Sequence, residues 1–332
     1  METVEEEIFL VLFLFVLAAA IVVFAAVQLN KYGDVISEKS TMSGAMVGGL
    51  LIAGATSLPE LTTSLTAVYI DNPDIAVGNM LGSNVFNLLI LAAVDLFYRK
   101  KRAFNQLKAD EQVPALVAGF IFTGLIVGAI LWNQTPSLFN IGLEMYLILI
   151  GYVIVLKMFN GNPEGQPDET VTEKKEIHIT LKRAVVNFSI FALIVFASGS
   201  VLSITGDRLA EMTGMNSSFV GSVLIAASTS LPELVTVVVA FRMANYSMAA
   251  GSILGSNIFN LMLLVVTDIF YRKGAILQGT SPSMIWTALL AVLMMIVMYY
   301  MLRREDKHSG FSYAWPSILM VVLYIGLSYM IF

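Results

Sequence analysis

Cysteine is absent from this 332-residue sequence, and its two histidines, His178 and His308, lie in polar connecting stretches. Without cysteine the chain has no disulfides, thiolate metal ligands or cysteine nucleophiles. The apolar segments contain no imidazole for a metal or catalytic site, and neither HExxH nor GxSxG occurs. We therefore expect no enzymatic activity and no bound cofactor.

Charged residues are also scarce, at 13%, while 57% of residues are hydrophobic and the mean hydropathy is +0.80. Soluble domains carry about 25% charged residues. The apolar residues fall in runs of roughly 20, the length of a membrane-spanning helix. The short alternating segments of a membrane β-barrel are absent. These features predict an all-α polytopic membrane protein without a nucleic-acid module or a sizeable soluble domain.

The apolar residues form two sets of five segments separated by a polar linker at 159–182. The acidic start METVEEE leads directly into a long apolar run, which we interpret as a retained helix rather than a cleaved signal. The predicted segments are 8–30, 43–70, 74–97, 113–132 and 138–158, then 184–205, 216–242, 247–270, 283–302 and 311–331.

An internal duplication matches this division. TSLPEL occurs at 56–61 and 229–234, and each copy is followed at the same distance by GSN, a second asparagine and FYRK. The offset is 173 residues throughout, since 233 − 60 and 260 − 87 give the same value. The sequence thus predicts a first five-helix repeat at 1–158 and a second at 183–332, with motif regions at about 50–100 and 223–273.

An odd number of helices in each repeat requires the second repeat to start from the opposite side of the membrane. The ten helices would then form two inverted repeats, a design in which transporters place their substrate site between the repeats. If both termini lie outside, all but three of the 19 lysines and arginines fall in inside loops. This positive-inside bias predicts external termini in a multi-pass protein of the cell membrane.

The TSLPE motif is a polar interruption of the second helix in each repeat. Thr56 and Glu60 are four residues apart and share a helix face, and Ser57 is three residues from Glu60. Pro59 lacks an amide hydrogen, so the carbonyl of Ala55 is left free to line a polar cavity. The second copy repeats these features with Thr229, Ser230, Pro232, Glu233 and the carbonyl of Ser228.

The third helix of each repeat supplies further oxygen atoms from Ser83 and Asn87, which are four residues apart. Ser256 and Asn260 are their counterparts. Two carboxylates with hydroxyl and carbonyl oxygens suit hard cations such as Ca²⁺ and Na⁺, and protons can compete for the carboxylates. The alternative is a purely structural role, in which proline only kinks these helices and asparagine only holds helices together. Two copies of the motif, each with a glutamate inside the membrane, favour a cation site instead. Small residues that permit close helix contact are Gly78, Gly82, Gly251 and Gly255.

The stretches GATSLPEL…GNMLGSNVFNLL and ASTSLPEL…GSILGSNIFNLM resemble the two α-repeats of microbial members of the sodium/calcium exchanger family, within the calcium:cation antiporter superfamily. The resemblance implies that the first and sixth helices slide to alternate access. It implies a Ca²⁺ site formed by Glu60, Glu233, the carbonyls of Thr56 and Thr229, Asn87 and Asn260. It implies Na⁺ sites that draw on Ala53, Ser57, Ser83, Ala226, Ser230, Ser256 and the two glutamates.

The sequence also departs from parts of this family. Some microbial relatives have aspartate at one of the inner asparagine positions, whereas this chain has Asn87 and Asn260. The GNxxE motif of the proton-coupled vacuolar branch is missing, because Gly78-Asn79 is followed by Met80, Leu81 and Gly82. The linker is too short for the cytosolic regulatory domains of animal exchangers.

The sequence therefore predicts a Na⁺/Ca²⁺ antiporter that extrudes Ca²⁺ by alternating access. The alternative is a Ca²⁺/H⁺ antiporter that protonates the same glutamates. A channel is a third possibility, which inverted repeats with broken helices disfavour. The expected partners are inorganic cations and the lipid bilayer, with no nucleic acid and no obligatory protein partner.

Asp95, Asp268 and Glu144 are further acids within the apolar segments. Asp95 is four residues before Arg99, and Asp268 is four before Arg272, so we expect helical ion pairs near the interface. A role in ion access is the alternative for these two aspartates. Glu144 has Ser317 at the corresponding position of the other repeat, and we expect it to be structural or interfacial.

Overall fold

A computed structural model describes residues 2–40, 47–132, 135–160, 179–213, 226–304 and 310–331. Most of the polar linker, the start of the predicted seventh segment and both histidines lie outside these ranges. The described part of the chain is almost entirely helical, with one short antiparallel hairpin between residues 137 and 142.

Helices occupy all ten of the predicted apolar segments. In the first repeat they are α1 (Glu2–Lys39), a π-helical segment (Val47–Ile52), α2 (Ala53–Thr56), α3 (Leu58–Tyr69), α4 (Pro73–Phe97), α5 (Ala109–Trp132) and α6 (Leu143–Asn160). Short 3₁₀ turns cover Arg99–Lys101 and Ala103–Gln106, and the hairpin is formed by β1 (Ser137–Leu138) and β2 (Ile141–Gly142). The second repeat has α7 (Leu181–Thr213), α8 (Ala226–Thr229), α9 (Leu231–Arg242), α10 (Tyr246–Phe270), a 3₁₀ turn (Ile276–Gly279), α11 (Met284–Arg303) and α12 (Gly310–Ile331).

Six of the helices in the described ranges are long and apolar enough to cross a membrane. They are α1, α4, α5, α7, α10 and α11, and shorter apolar helices cover 47–56 and 310–326. The number of ten crossings and the inverted orientation of the repeats stay predictions. One boundary was wrong: the segment expected from 138 begins with the hairpin turn, where Phe139 and Asn140 have positive φ, and its helix starts at Leu143.

The duplication is visible in the backbone as well as in the sequence. Asp71 and Ala244, 173 residues apart, both adopt a left-handed conformation in the turn before the next helix, with φ of 64° and 57°. The next residue caps that helix in each repeat: Asn72 accepts from the amide of Ile75, and Asn245 from that of Met248. The same side-chain chemistry therefore begins α4 and α10.

The third helices of the two repeats, α4 and α10, form the centre of the molecule. In each of them 72% of the most apolar window is buried, against 22% in α1 and 28% in α7. The helices α1 and α7 pack against each other at the periphery, and α1 exposes large apolar side chains such as Phe9 and Phe13. The two central helices, which carry buried polar residues, are thus surrounded by helices whose apolar surfaces are suited to contact lipid.

Contacts at the two ends of the helix bundle join helix ends and connecting segments of different repeats. At one end the Lys101 ammonium donates to the carbonyl of Phe241 at 3.4 Å, and Ser247 donates to Glu111 at 3.3 Å. At the other end Lys273 forms an ion pair with Asp71. The hydrogen bond that Lys273 donates to the Asp71 carboxylate raises the pKa of this exposed lysine.

Candidate functional site

The second helix of each repeat is interrupted at the serine of TSLPE. Helix α2 ends at Thr56, Ser57 adopts a turn conformation with φ −86° and ψ 5°, and α3 begins at Leu58 with Pro59 in its first turn. Ser230 has nearly the same angles, −83° and 8°, between α8 and α9. The prediction of a helix break at both motifs is confirmed, and proline in the first turn explains it.

Glu60 and Glu233 lie in the first turns that follow these breaks and are completely buried. Each accepts a hydrogen bond from a serine of the next helix in its own repeat. Ser83 donates to Oε1 of Glu60 and Ser256 donates to Oε1 of Glu233, both at 3.5 Å. The start of a helix also favours a negative charge, because its free amides point toward that end.

Side chains from the two repeats meet around these carboxylates. The Ser57 hydroxyl lies 3.5 Å from Oε1 of Glu233, which belongs to the other repeat. The hydroxyls of Ser83 and Thr229 are 3.4 Å apart, and Thr229 also donates to Asn79 at 3.4 Å. The residues that sequence spacing assigned to two separate motifs therefore form one cluster between the repeats.

Four asparagines connect α4 and α10 beside this cluster. The side-chain amide of Asn84 donates to the backbone carbonyl oxygen of Asn257, and the side-chain amide of Asn257 donates to the backbone carbonyl oxygen of Asn84. The Asn87 amide donates to Oδ1 of Asn257, and the Asn260 amide donates to Oδ1 of Asn84, all four distances being 3.1 Å. The network fixes the side-chain nitrogens of Asn87 and Asn260 and leaves their side-chain oxygens, Oδ1, without a hydrogen-bond partner among the described residues.

Asn84 and Asn257 were not among the residues predicted to form the site. The signal was present in the sequence, because both belong to the repeated GSN and an amide within an apolar helix needs partners. Asn79 was also missed; its amide donates to the backbone oxygen of Glu60 and to Ser64, both at 3.1 Å. Its counterpart in the second repeat is Ser252, so this contact has no symmetric copy.

A set of buried oxygen atoms in the cluster has no hydrogen-bond partner among the described residues. Buried acceptors without partners each cost about 1–3 kcal/mol, and more when charged. Carboxylate and amide oxygens are ligands that hard cations prefer. The unpartnered acceptors are Oε2 of Glu60, Oε2 of Glu233, Oδ1 of Asn87 and Oδ1 of Asn260, joined by the hydroxyl of Ser230.

The remaining predicted ligands are also buried in this region. The hydroxyl of Thr56 donates to the carbonyl of Ile52, at the end of the preceding π-helical segment, at 3.0 Å. The carbonyls of Ala53 and Ala226 accept the amides of Ser57 and Ser230, both at 3.0 Å. Because a carbonyl oxygen has two lone pairs, either alanine could still contact a cation.

Glycines let α10 approach the π-helical segment that precedes the first break. A methyl group on Gly255 would lie 2.5 Å from the backbone of Gly49, and one on Gly48 would lie 2.6 Å from the carbonyl oxygen of Met248. The predicted close helix contact at Gly255 is confirmed. Single π-helical turns are frequent at functional sites, and this one leads directly into α2.

The predicted ion pairs of Asp95 and Asp268 are wrong. Asp95 accepts hydrogen bonds from Tyr313 and from Ser317, the latter at 2.8 Å. Asp268 accepts from the backbone amides of Gly142 at 2.9 Å and Ile276 at 2.6 Å. The helices end at 97 and 270, so the basic residues four positions later no longer lie on the same helix face.

The sequence model of the family described as sodium/calcium exchanger protein matches the chain twice, at 10–159 and 183–332. The chain belongs to the sodium/calcium exchanger family. The duplication seen in the motifs therefore extends over two matched copies of one exchanger unit, and membership assigns the protein to membrane cation exchangers rather than to enzymes.

Relatives of this exchanger include differently named members of the family. It is 24% identical over 340 residues to the sodium/calcium exchanger MaX1 of Methanosarcina acetivorans, covering 91% of this chain and 93% of that protein. It is 26% identical over 311 residues to the Ca²⁺/H⁺ antiporter ChaA of Bacillus subtilis, covering 89% and 86%. A solved structure of the sodium-calcium exchanger NCX_Mj has the same fold, with a TM-score of 0.70 at 21% identity over 96% of this chain and 97% of that one.

Proposed function

We propose that this protein exchanges Na⁺ for Ca²⁺ across the cell membrane and that the cluster around Glu60 and Glu233 is its ion-binding site. The observation that carries the proposal is the set of unpartnered oxygens on Glu60, Glu233, Asn87 and Asn260. All four atoms are acceptors, all are buried, and they come in equal number from the two repeats. A cation is the kind of partner that satisfies such a set.

Charge balance means that Ca²⁺ and Na⁺ compete for this site. Two carboxylates neutralise one Ca²⁺ or two Na⁺, and with neither ion bound two buried like charges repel. The serine hydroxyls next to the carboxylates, from Ser57, Ser83 and Ser256, give further oxygens suited to Na⁺. Ions that share ligands and cannot occupy the site together are exchanged rather than cotransported.

The packing of α1 and α7 supports alternating access by sliding of this helix pair. Each of them covers the broken helix of the opposite repeat: α1 packs on α9, and α7 packs on α3. Gly199 in α7 contacts the break directly, since a methyl group there would lie 2.3 Å from Cγ of Pro59. Movement of the pair along these breaks would change access to the site while α4 and α10 remain in place.

Contacts at the ends of the helices support repeats of opposite orientation, and loop charge supports external termini. Every pair described above joins segments that loop charge assigns to one side: 98–112 contacts 241–247, and Asp71 contacts Lys273. Glu7 and Arg208, both assigned to the outside, also form an ion pair at 2.8 Å. We therefore infer repeats at 1–158 and 183–332 joined by an internal linker at 159–182.

Ca²⁺/H⁺ exchange is the second candidate, because the relative ChaA carries that name at an identity similar to that of MaX1. In that case protons on Glu60 and Glu233 would replace Na⁺ and no sodium ligand would be needed. The cluster of serine hydroxyls around the carboxylates favours sodium, since a proton needs no further coordinating oxygens.

Vesicles reconstituted with the purified protein distinguish these functions. The vesicles contain Na⁺ and are diluted into sodium-free medium with radioactive Ca²⁺, and a parallel set carries a pH gradient instead. We expect Ca²⁺ uptake with the sodium gradient alone. Uptake that follows the pH gradient and ignores sodium would support proton exchange, and Ca²⁺ flux without any counter-ion would indicate a channel.

A further inference from the structure

Asn79 is fully buried in α4 and connects this helix to α3 and to the second repeat. Its amide nitrogen donates to the backbone oxygen of Glu60 and to the hydroxyl of Ser64, both at 3.1 Å. Ser64 in turn donates to the carbonyl of Ala76, which lies three residues before Asn79, at 3.3 Å. The side-chain oxygen of Asn79 lies 3.4 Å from the hydroxyl of Thr229 in the second repeat.

The partners of Asn79 determine which way its amide faces. The backbone oxygen of Glu60 can only accept, and Ser64 has given its one hydrogen to Ala76, so both require a donor. Asn79 therefore holds the backbone of Glu60 from α4. Ser83, four residues later on the same face of α4, donates to the carboxylate of the same glutamate. One helix thus fixes both the main chain and the side chain of Glu60.

The second repeat has replaced the residues that make this connection. With the offset of 173, Ser252 stands in place of Asn79 and Val237 in place of Ser64. The hydroxyl of Ser252 donates to the carbonyl of Ala249 in its own helix, at 3.0 Å. The valine side chain has no polar group that could take part in a hydrogen bond. The polar bridge between α3 and α4 is therefore not repeated by these residues between α9 and α10.

The backbone at the two glutamates is held differently as a result. At Glu233 the backbone oxygen accepts from Thr236, three residues later in the same helix, at 2.8 Å. At Glu60 it accepts from Asn79 of the next helix. Ser256 of α10 donates to the carboxylate of Glu233. The Glu60 half of the cluster is thus fixed to α4 by main chain and side chain, and the Glu233 half is held from α10 at its carboxylate.

We propose that Asn79 is a positioning residue for cation binding, which keeps Glu60 in place while Glu233 adjusts to the bound ion. The inference rests on the proposed function of the central site. A ligand that is fixed before the ion arrives loses less conformational freedom on binding, so its contact is more favourable. The same two carboxylates must accommodate either one Ca²⁺ or two Na⁺, which differ in number and position, and one adaptable carboxylate permits both arrangements.

Ca²⁺ titration of the purified full-length protein tests this role without any dependence on transport. Asn79→Ser gives the first repeat the residue that the second repeat has, and it removes the contact with the backbone of Glu60. We expect roughly tenfold weaker Ca²⁺ binding by isothermal titration calorimetry, the size expected when buried hydrogen bonds are lost. Ser252→Ala is the matched control, because it removes the hydroxyl at the corresponding position of α10, and it should leave the Ca²⁺ affinity unchanged.

A milder variant and a kinetic measurement separate positioning from folding. Ser64→Ala removes one acceptor of Asn79 and keeps its contact with Glu60, so we expect roughly threefold weaker Ca²⁺ binding. In sodium-driven uptake by vesicles, Asn79→Ser should raise the KM for Ca²⁺ roughly tenfold and leave the maximal rate within about twofold of the parent's. Loss of folded protein alone would lower the maximal rate at an unchanged KM.

The proposal is overturned if Asn79→Ser and Ser64→Ala bind Ca²⁺ as tightly as the parent does, or if Asn79→Ser lowers only the maximal rate of uptake. Ca²⁺ binding that weakens in these variants, in a protein without sodium-driven uptake, would support the positioning of Glu60 and contradict the proposed exchange. A parent protein that binds no Ca²⁺ would overturn both.

Discussion

The hydroxyl of Ser57 in the first repeat lies 3.5 Å from Oε1 of Glu233 in the second, so each helix break contributes to a site that neither repeat forms alone. The asparagine network extends the same relationship along α4 and α10, because every hydrogen bond in it crosses between the repeats. If this junction is the ion-binding site proposed above, ion binding there would couple the two halves of the molecule.

Removing an amide from the asparagine network should weaken Ca²⁺ binding. Asn257→Ala leaves the amide of Asn87 without its acceptor, and a buried group without a partner costs about 1–3 kcal/mol. Once released, Asn87 can turn its carbonyl oxygen away from the carboxylates, so we expect roughly tenfold weaker Ca²⁺ binding by isothermal titration. Asn72→Ala is the control: it removes a helix cap and about 1 kcal/mol of stability, and it should leave Ca²⁺ affinity unchanged. Equal affinity in both variants would argue against a positioning role for Asn257.

Adding a methyl group at Gly255 should separate α10 from the π-helical segment. The new atom would lie 2.5 Å from the backbone of Gly49, and overpacking of this kind costs about 1–3 kcal/mol. We expect Gly255→Ala to lower the thermal midpoint of the purified protein and to slow Ca²⁺ transport. A methyl group on Gly128 in α5 would have no neighbouring atom within 4 Å, so Gly128→Ala should be as stable as the parent protein. Equal midpoints for the two variants would show that the close approach is unimportant.

The opposite orientation of the repeats can be tested with the duplicated FYRK motif. The chain has no cysteine, so single cysteines can be labelled without background. With a thiol reagent that does not cross membranes, we expect labelling of Lys273→Cys in intact cells, and labelling of Lys100→Cys only after the membrane is opened. Both positions are exposed in the structure. Labelling of both in intact cells would contradict inverted repeats.

The burial of Glu60 and Glu233 could be predicted because the same polar residues recur at one offset within apolar helices. Glu60 and Asn87 could be identified with their partners 173 residues later, and proline predicted the helix breaks. The hydrogen-bond partners of Asn84 and Asn257 could not be predicted from spacing, because these bonds cross between helices whose relative position depends on the whole fold. The ion pair of Asp95 failed for a local reason: the four-residue rule needs a continuous helix, and α4 ends at Phe97 before Arg99 is reached.

The most direct test of the ion-binding site measures sodium-driven Ca²⁺ uptake by vesicles that contain Glu60→Gln or Glu233→Gln. Each change preserves the shape of the side chain and removes one of the two charges that neutralise Ca²⁺. Because losing one partner of a buried charge interaction costs several kcal/mol, we predict that uptake falls roughly a hundredfold or more in either variant. Glu38→Gln, at an exposed position of α1, should transport as the parent does. Uptake near the parent level in Glu60→Gln or Glu233→Gln would contradict the assignment of the site.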